Sequence, residues 1–229
     1  MSSDSLSQDE IDLLFNSGGD AAPQPAAPDP AEDVQVYDFR RPARISKDRK
    51  RSLFAIYGLL AKSLEGWLAG RVRDSIVLEL QSVEQLTFGE FTLALPSPCS
   101  SFIVDIGQKG SKHQGVIDFG HEFAFYLIDR FLGGTGELTV PERALSPLER
   151  LVTQLVARRV AQQLGDVWKD YVKMDLEVGG FESIPEMLQV ANREDPVLVA
   201  NVRVQLGQTR SLMLVCLPFV VLERFFIGN

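Results

Sequence analysis

The residues best suited to chemistry are a glycine cluster, two histidines and two cysteines. Gly133-Gly134-Thr135-Gly136 is the one cluster that could cradle a phosphate. A phosphate loop follows a strand and opens a helix, so that free amide N–H groups and the positive end of the helix dipole face the anion. These glycines follow a helix-patterned stretch, Glu122 to Leu132, and no Lys-Ser or Lys-Thr pair comes after them. At a carboxyl end the dipole repels anions, so the cluster reads as a helix C-cap and turn. Three glycines exceed what a cap requires, which points to close approach by another backbone. His113 and His121 lack ligand spacing and have no paired cysteine, so no zinc site is expected. No G-x-S-x-G elbow seats a nucleophile, and His121, near a helix start, reads as structural or surface-exposed. Cys99 and Cys216 are too few for a disulfide framework and read as small buried hydrophobes. No catalytic residue, metal or cofactor is expected.

Charge is the next chemical signal. Residues 40–51 hold Arg40, Arg41, Arg44, Lys47, Arg49, Lys50 and Arg51 against a single acid, Asp48. Nucleic-acid binding is one reading of such a cluster. No aromatic residue interleaves with these bases, and the chain as a whole carries −8, so a solvated helix face or a patch meeting an acidic protein is favoured. The longest apolar run, Leu212 to Leu222, spans 11 residues and contains Pro218. It is too short for a bilayer. With an acidic, polar N-terminus in place of a signal peptide, the chain reads as cytosolic, with no membrane insertion.

The elements that would position these residues come in two similar sets. Ser46 opens one amphipathic helix, with Leu53, Ile56, Tyr57, Leu60 and Leu64 on one face. Ser146 opens another 100 residues later, and Leu148, Leu151, Val152, Leu155, Val156, Val160 and Leu164 are expected to form its apolar face. Strands are expected at Ile76–Leu80, Thr92–Leu95 and Ser101–Ile106, then at Lys173–Val178, Val197–Leu206 and Ser211–Leu217. Phe102, Val104, Ile106, Gly107 and Gln108 parallel Val202, Val204, Leu206, Gly207 and Gln208. After one more strand in the first half, Gln114–Asp118, a short helix carries Ile128-Asp129-Arg130-Phe131, echoed by Leu222-Glu223-Arg224-Phe225. The shared order predicts a pseudo-twofold α/β/α domain over 37–229, with repeats at about 45–140 and 145–229.

Ahead of this domain lies a different kind of sequence. The first 39 residues carry nine acids and no Lys or Arg, leaving the remainder with 22 acids against 23 bases. Within residues 1–16, Ser7 and Glu10 fit a capping box, and Asp9, Glu10 and Asp12 suit the first turns of a helix. Ile11, Leu14 and Phe15 share one face, and Asn16-Ser17-Gly18-Gly19 stops the pattern. So short a helix is marginal alone and is expected to fold in a partner's groove. Docking on its own domain is the competing arrangement. Residues 17–36, with four prolines and five alanines, argue for a tether instead, reaching on the order of 25 Å root-mean-square.

These residues carry a resemblance. Leu6-Ser7-Gln8-Asp9-Glu10-Ile11-Asp12, the tether, Tyr37-Asp38-Phe39-Arg40-Arg41-Pro42, Ser46-Lys47-Asp48 and Ile128-Asp129-Arg130-Phe131-Leu132-Gly133-Gly134-Thr135-Gly136 resemble the flagellar motor switch protein FliM family. The resemblance implies a rotor-mounted adaptor in the cytoplasmic C-ring, peripheral to the inner membrane at the flagellar basal body, among neighbouring copies in a ring. It implies capture of phosphorylated CheY by Leu6, Ser7, Gln8, Glu10, Ile11, Asp12, Leu14 and Phe15. It implies contact with FliG through Gly133, Gly134 and Gly136, with Asp129 and Arg130 nearby, and so control of rotation direction in chemotaxis. The family continues into a FliN-like domain. Here the sequence stops at Gly228-Asn229, so that domain is expected to be absent and assembly with FliN is left open.

The FliM middle domain is in turn similar to the CheC family of CheY-phosphate phosphatases, which supplies an enzyme alternative. Those enzymes set Glu and Asn three residues apart on a helix, the amide orienting the attacking water. The corresponding positions here are Ser46, Lys50, Leu53 and Ser146, Arg150, Thr153. Neither set can perform that chemistry, and binding without hydrolysis is expected.

Overall fold

The computed structural model describes residues 45–108, 110–137 and 140–227. The peptide 1–16 and the linker 17–36 lie outside the described residues. The chain divides after Asp38, and every described element belongs to Phe39–Asn229.

Helix α1 (Lys47–Val72) begins where the Ser46 hydroxyl accepts from the Arg49 N–H at 3.3 Å, and ends at Arg73 in the left-handed region. Its Leu53, Ile56, Tyr57, Leu60, Leu64, Leu68 and Val72 recur every three or four residues and are all buried. Strand β1 (Ile76–Thr87) follows, then a short helix α2 (Phe88–Ala94), strands β2 (Ser101–Gln108) and β3 (Ser111–Phe119), and helix α3 (His121–Phe131). The second set is helix α4 (Pro147–Trp168), strands β4 (Asp175–Glu182), β5 (Pro196–Leu206) and β6 (Thr209–Pro218), a 3-10 turn and helix α5 (Glu223–Ile227).

The six strands form one sheet in the order β1-β5-β6-β3-β2-β4, with every pair antiparallel. Exchanging β1 with β4, β2 with β5 and β3 with β6 reproduces the same order reversed. A pseudo-twofold therefore passes between β3 and β6. It also relates α1 to α4, where a hydrogen bond joins Ser63 Oγ to the Gln163 amide at 2.8 Å. The expected pseudo-twofold α/β architecture is the observed one. Each edge strand carries one extra residue, Gln81 opposite Asn201/Val202 and Gly179 opposite Ile103/Val104. These bulges make Val104 the equivalent of Val202, two residues away from the pairing read in the sequence. A shift of two keeps every side chain on its face, so the inward set survives.

Alternation along the strands divides the core. Phe102, Val104, Ile106, Ala200, Val202, Val204 and Leu206 face α1, α3 and α4, while Val116, Val197, Val199 and Cys216 face a smaller cluster under α2. The expected strand at Thr92–Leu95 is instead part of the turn formed by α2 and its cap. Thr87 and Glu90 make a capping box, and Phe88, Phe91 and Leu95 cover the second face of the sheet. A second correction concerns α4. Val156, Val160 and Leu164 are buried, but Leu148, Leu151 and Leu155 are exposed. The buried stripe is completed by small or polar residues, Ala157, Ala161, Thr153 and Gln163.

Candidate functional site

Helix α3 is buried along Phe123–Ile128 and ends in a turn built from the predicted glycines. Gly133, at φ +93°, stands where a Schellman cap needs the left-handed region. The Gly134 N–H donates to Asp129 O at 2.8 Å and the Gly133 N–H to Arg130 O at 3.3 Å, the two bonds of that motif. The chain then turns back over the helix. The Gly136 N–H, on a residue with φ +85°, donates to the Asp129 carboxylate at 2.7 Å. A Cβ on Gly134 would lie 2.0 Å from that carboxylate, so the close approach at the glycine cluster is by a side chain of its own helix and not, as expected, by another backbone.

Arg130 ties the turn to α1. Its guanidinium donates to Val72 O at 2.9 and 2.5 Å, to Arg73 O at 3.1 Å, and to Gly134 O at 3.0 Å. The last carbonyls of a helix are orphan acceptors carrying partial negative charge, and a guanidinium fork satisfies both needs. Beside it the Tyr126 hydroxyl donates to Asp74 at 2.9 Å. The Ser75 N–H and this hydroxyl hold the Asp74 carboxyl below its usual range, while burial and the Asp74 contact push Tyr126 up to about 12. Asp129 and Arg130 are thus brought together with Gly133, Gly134 and Gly136, but as the frame of the turn. Its presented surface is Gly133, Thr135 and above all Leu132, which is 63% exposed. Leu132 escaped the sequence reading because an apolar residue closing an amphipathic helix looks like core.

The other candidates fall elsewhere. His121 makes a 2.7 Å hydrogen bond to Pro141 O and packs its ring against Phe125, a structural role. Cys99 and Cys216 are buried, and burial pushes the Cys99 thiol up to about 11. Among the described residues no three His, Cys, Asp or Glu converge on a metal position. Lys47, Lys50 and Arg51 are exposed on the first turns of α1, and Arg49 lies over the Phe225 ring at 5.1 Å. Leu53 and Thr153, the positions expected to correspond to a phosphatase amide, are both fully buried. All eight residues expected to contact CheY lie outside the described residues, as do Arg40, Arg41 and Arg44. Among the described residues no helix is long and apolar enough to cross a membrane.

Residues 46–227 match the family described as flagellar motor switch protein FliM. The chain belongs to the FliM family. It is 28% identical over 95% of its length to the FliM of Treponema pallidum. It spans 64% of the length of that protein and of the FliM of Borreliella burgdorferi. Its fold is similar to FliM in a crystal structure of the FliG–FliM complex from H. pylori, with a TM-score of 0.73, 30% identity, and coverage of 80% of this chain and 99% of that one. The crystal structure of the H. pylori FliM middle domain gives a TM-score of 0.71 at 28% identity, covering 80% of this chain and 98% of that one. The family assignment covers both repeats and the glycine turn between them.

Proposed function

We propose that this protein is a switch adaptor of the flagellar rotor, which binds FliG through the turn after α3 and phosphorylated CheY through residues 1–16. The observation that carries the reading is the turn itself. A Schellman cap, a carboxylate and a guanidinium hold it rigidly against α1 and α3, and an apolar side chain, Leu132, stands on it uncovered. A preformed surface of this kind loses little freedom on binding. The H. pylori FliM solved in complex with FliG supports FliG as the partner. Neighbouring copies in the C-ring, on the cytoplasmic face of the inner membrane, would multiply the response. The tail supplies capture: an acidic, marginal helix folds on CheY when phosphorylation favours its competent state. The tether then holds CheY at roughly millimolar local concentration for a weaker second contact that biases packing on FliG and reverses rotation. Hydrolysis of the phosphoryl group is not part of this reading, because burial of Leu53 and Thr153 removes the positions an amide would need.

Two titrations test it. Leu132→Asp should weaken FliG binding in calorimetry about tenfold or more without lowering the melting temperature, since the side chain is exposed. A synthetic peptide of residues 1–16 should bind CheY more tightly in its phosphorylated form. Unchanged FliG affinity would remove the turn from the interface, and equal affinity for the two CheY states would remove the tail from the signalling step.

A further inference from the structure

Helix α4 carries an apolar seam that the fold does not use. Leu148, Leu151 and Leu155 are 63%, 61% and 52% exposed, on the side of the helix away from Val156, Val160 and Leu164. Their spacing of three and then four residues makes a narrow heptad seam, which fits one helix, whereas a helix lying on a bilayer presents a broader apolar face. The pseudo-twofold provides an internal control. Aligned on the N-caps Ser46 and Ser146, α1 has Asp48, Arg51 and Ala55 at the equivalent positions. Helix α1 packs on the same face of the sheet, so that packing does not require leucines there.

From Arg150 to Gly165 the charge on this helix has one sign, the next acid being the exposed Asp166. Arg158 continues the three-and-four spacing and is exposed, with no ion-pair partner among the described residues. Arg150 lies over the Phe181 ring at 5.1 Å and donates to Leu145 O, Arg159 lies over the Trp67 ring at 5.8 Å and donates to Gln162, and among the described residues neither makes an ion pair. From Arg150 to Gln162 the helix has three arginines and no acid. Glu149, just before, is committed to the Ser146 N–H and to Arg143.

We propose that the outer seam of α4 docks a single helix of a partner protein, apolar at the same three-and-four spacing and acidic beside it. The site uses none of the residues of the glycine turn and is independent of the function proposed above. A labelled synthetic helical peptide with leucines at heptad positions a and d and glutamates at e and g is the probe, with a lysine-flanked twin as control. In fluorescence anisotropy with the full chain, the glutamate peptide should bind at micromolar concentration and at least about tenfold more tightly than its twin. Leu151→Glu should weaken it about tenfold or more at an unchanged melting temperature, and Arg158→Glu should narrow the preference between the peptides several-fold. Absence of binding, equal binding of both peptides, or indifference to Leu151→Glu overturns the proposal. So does leucine-dependent self-association in sedimentation velocity, which makes the seam a contact between copies. Leucine-dependent retention on phosphatidylserine vesicles likewise overturns it, in favour of a lipid surface.

Discussion

Gly134 and Asp129 are fitted to each other as a pair. A methyl group at Gly134 would fall 2.0 Å from the carboxylate that accepts the Gly136 N–H. Gly134→Ala must displace Asp129, so the cost should be about 1.5–3 kcal/mol in urea unfolding, the range for a lost hydrogen bond to a charged group. Removing the carboxylate as well should cost less than the two single changes added together, because the second substitution relieves the clash made by the first. Full additivity would mean that the two residues do not press on each other. The glycines were legible in the sequence as a cap and a close approach. Their partner was not, because a carboxylate four or five residues upstream on a helix is ordinarily a solvated side chain. What separates the two cases is a backbone path after the helix end that residue types alone do not specify.

Helix boundaries were legible where a cap or a strong apolar rhythm marked them, as at Ser46, Ser146 and the run ending at Phe131. The failures have one cause. Thr92–Leu95 has a strand-like composition, yet the Thr87–Glu90 box upstream starts a helix that carries through to Ala94. In α4, three leucines stay exposed while alanine and threonine take buried positions. Hydrophobicity ranks residues for burial but does not say which side of a helix the neighbours approach. The N-terminus of α4 also sets a pH dependence. Arg143 and the Ser146 N–H hold the Glu149 carboxyl down at about 2. An unfolded glutamate titrates near ~4.3. The folded state therefore gains full stabilisation from this group above that pH and loses it as pH falls toward 2. In denaturant titrations Glu149→Gln should lower the midpoint at pH 7, and its gap from the parent should close between about pH 4.5 and 2. A gap that stays constant through that window would place the effect in the cap geometry and not in the charge.

At the scale of the whole molecule, the duplicated order of elements was the most informative thing in the sequence, and the sheet realises it about an axis between β3 and β6. The hairpins ran two residues out of register in the sequence comparison because the offset between repeats changes from 100 at the helices to 98 in the strands, a shift that similarity alone did not register. Arg130 is the residue through which the two ends of the first repeat meet. Arg130→Ala should free the last turn of α1, seen as faster hydrogen exchange at Val72 and its neighbours, and should cost about 1.5–3 kcal/mol. Retained protection there would show the helix end to be held by packing alone. The same anchorage has a mechanical side. Helix α1 runs unbroken for 26 residues, about 39 Å, from Ser46 to the carbonyls that Arg130 grips. A push on the glycine turn would be delivered to one end of a stiff rod whose buried stripe is bedded in the core along its length, so turn, helix and sheet would shift as one body.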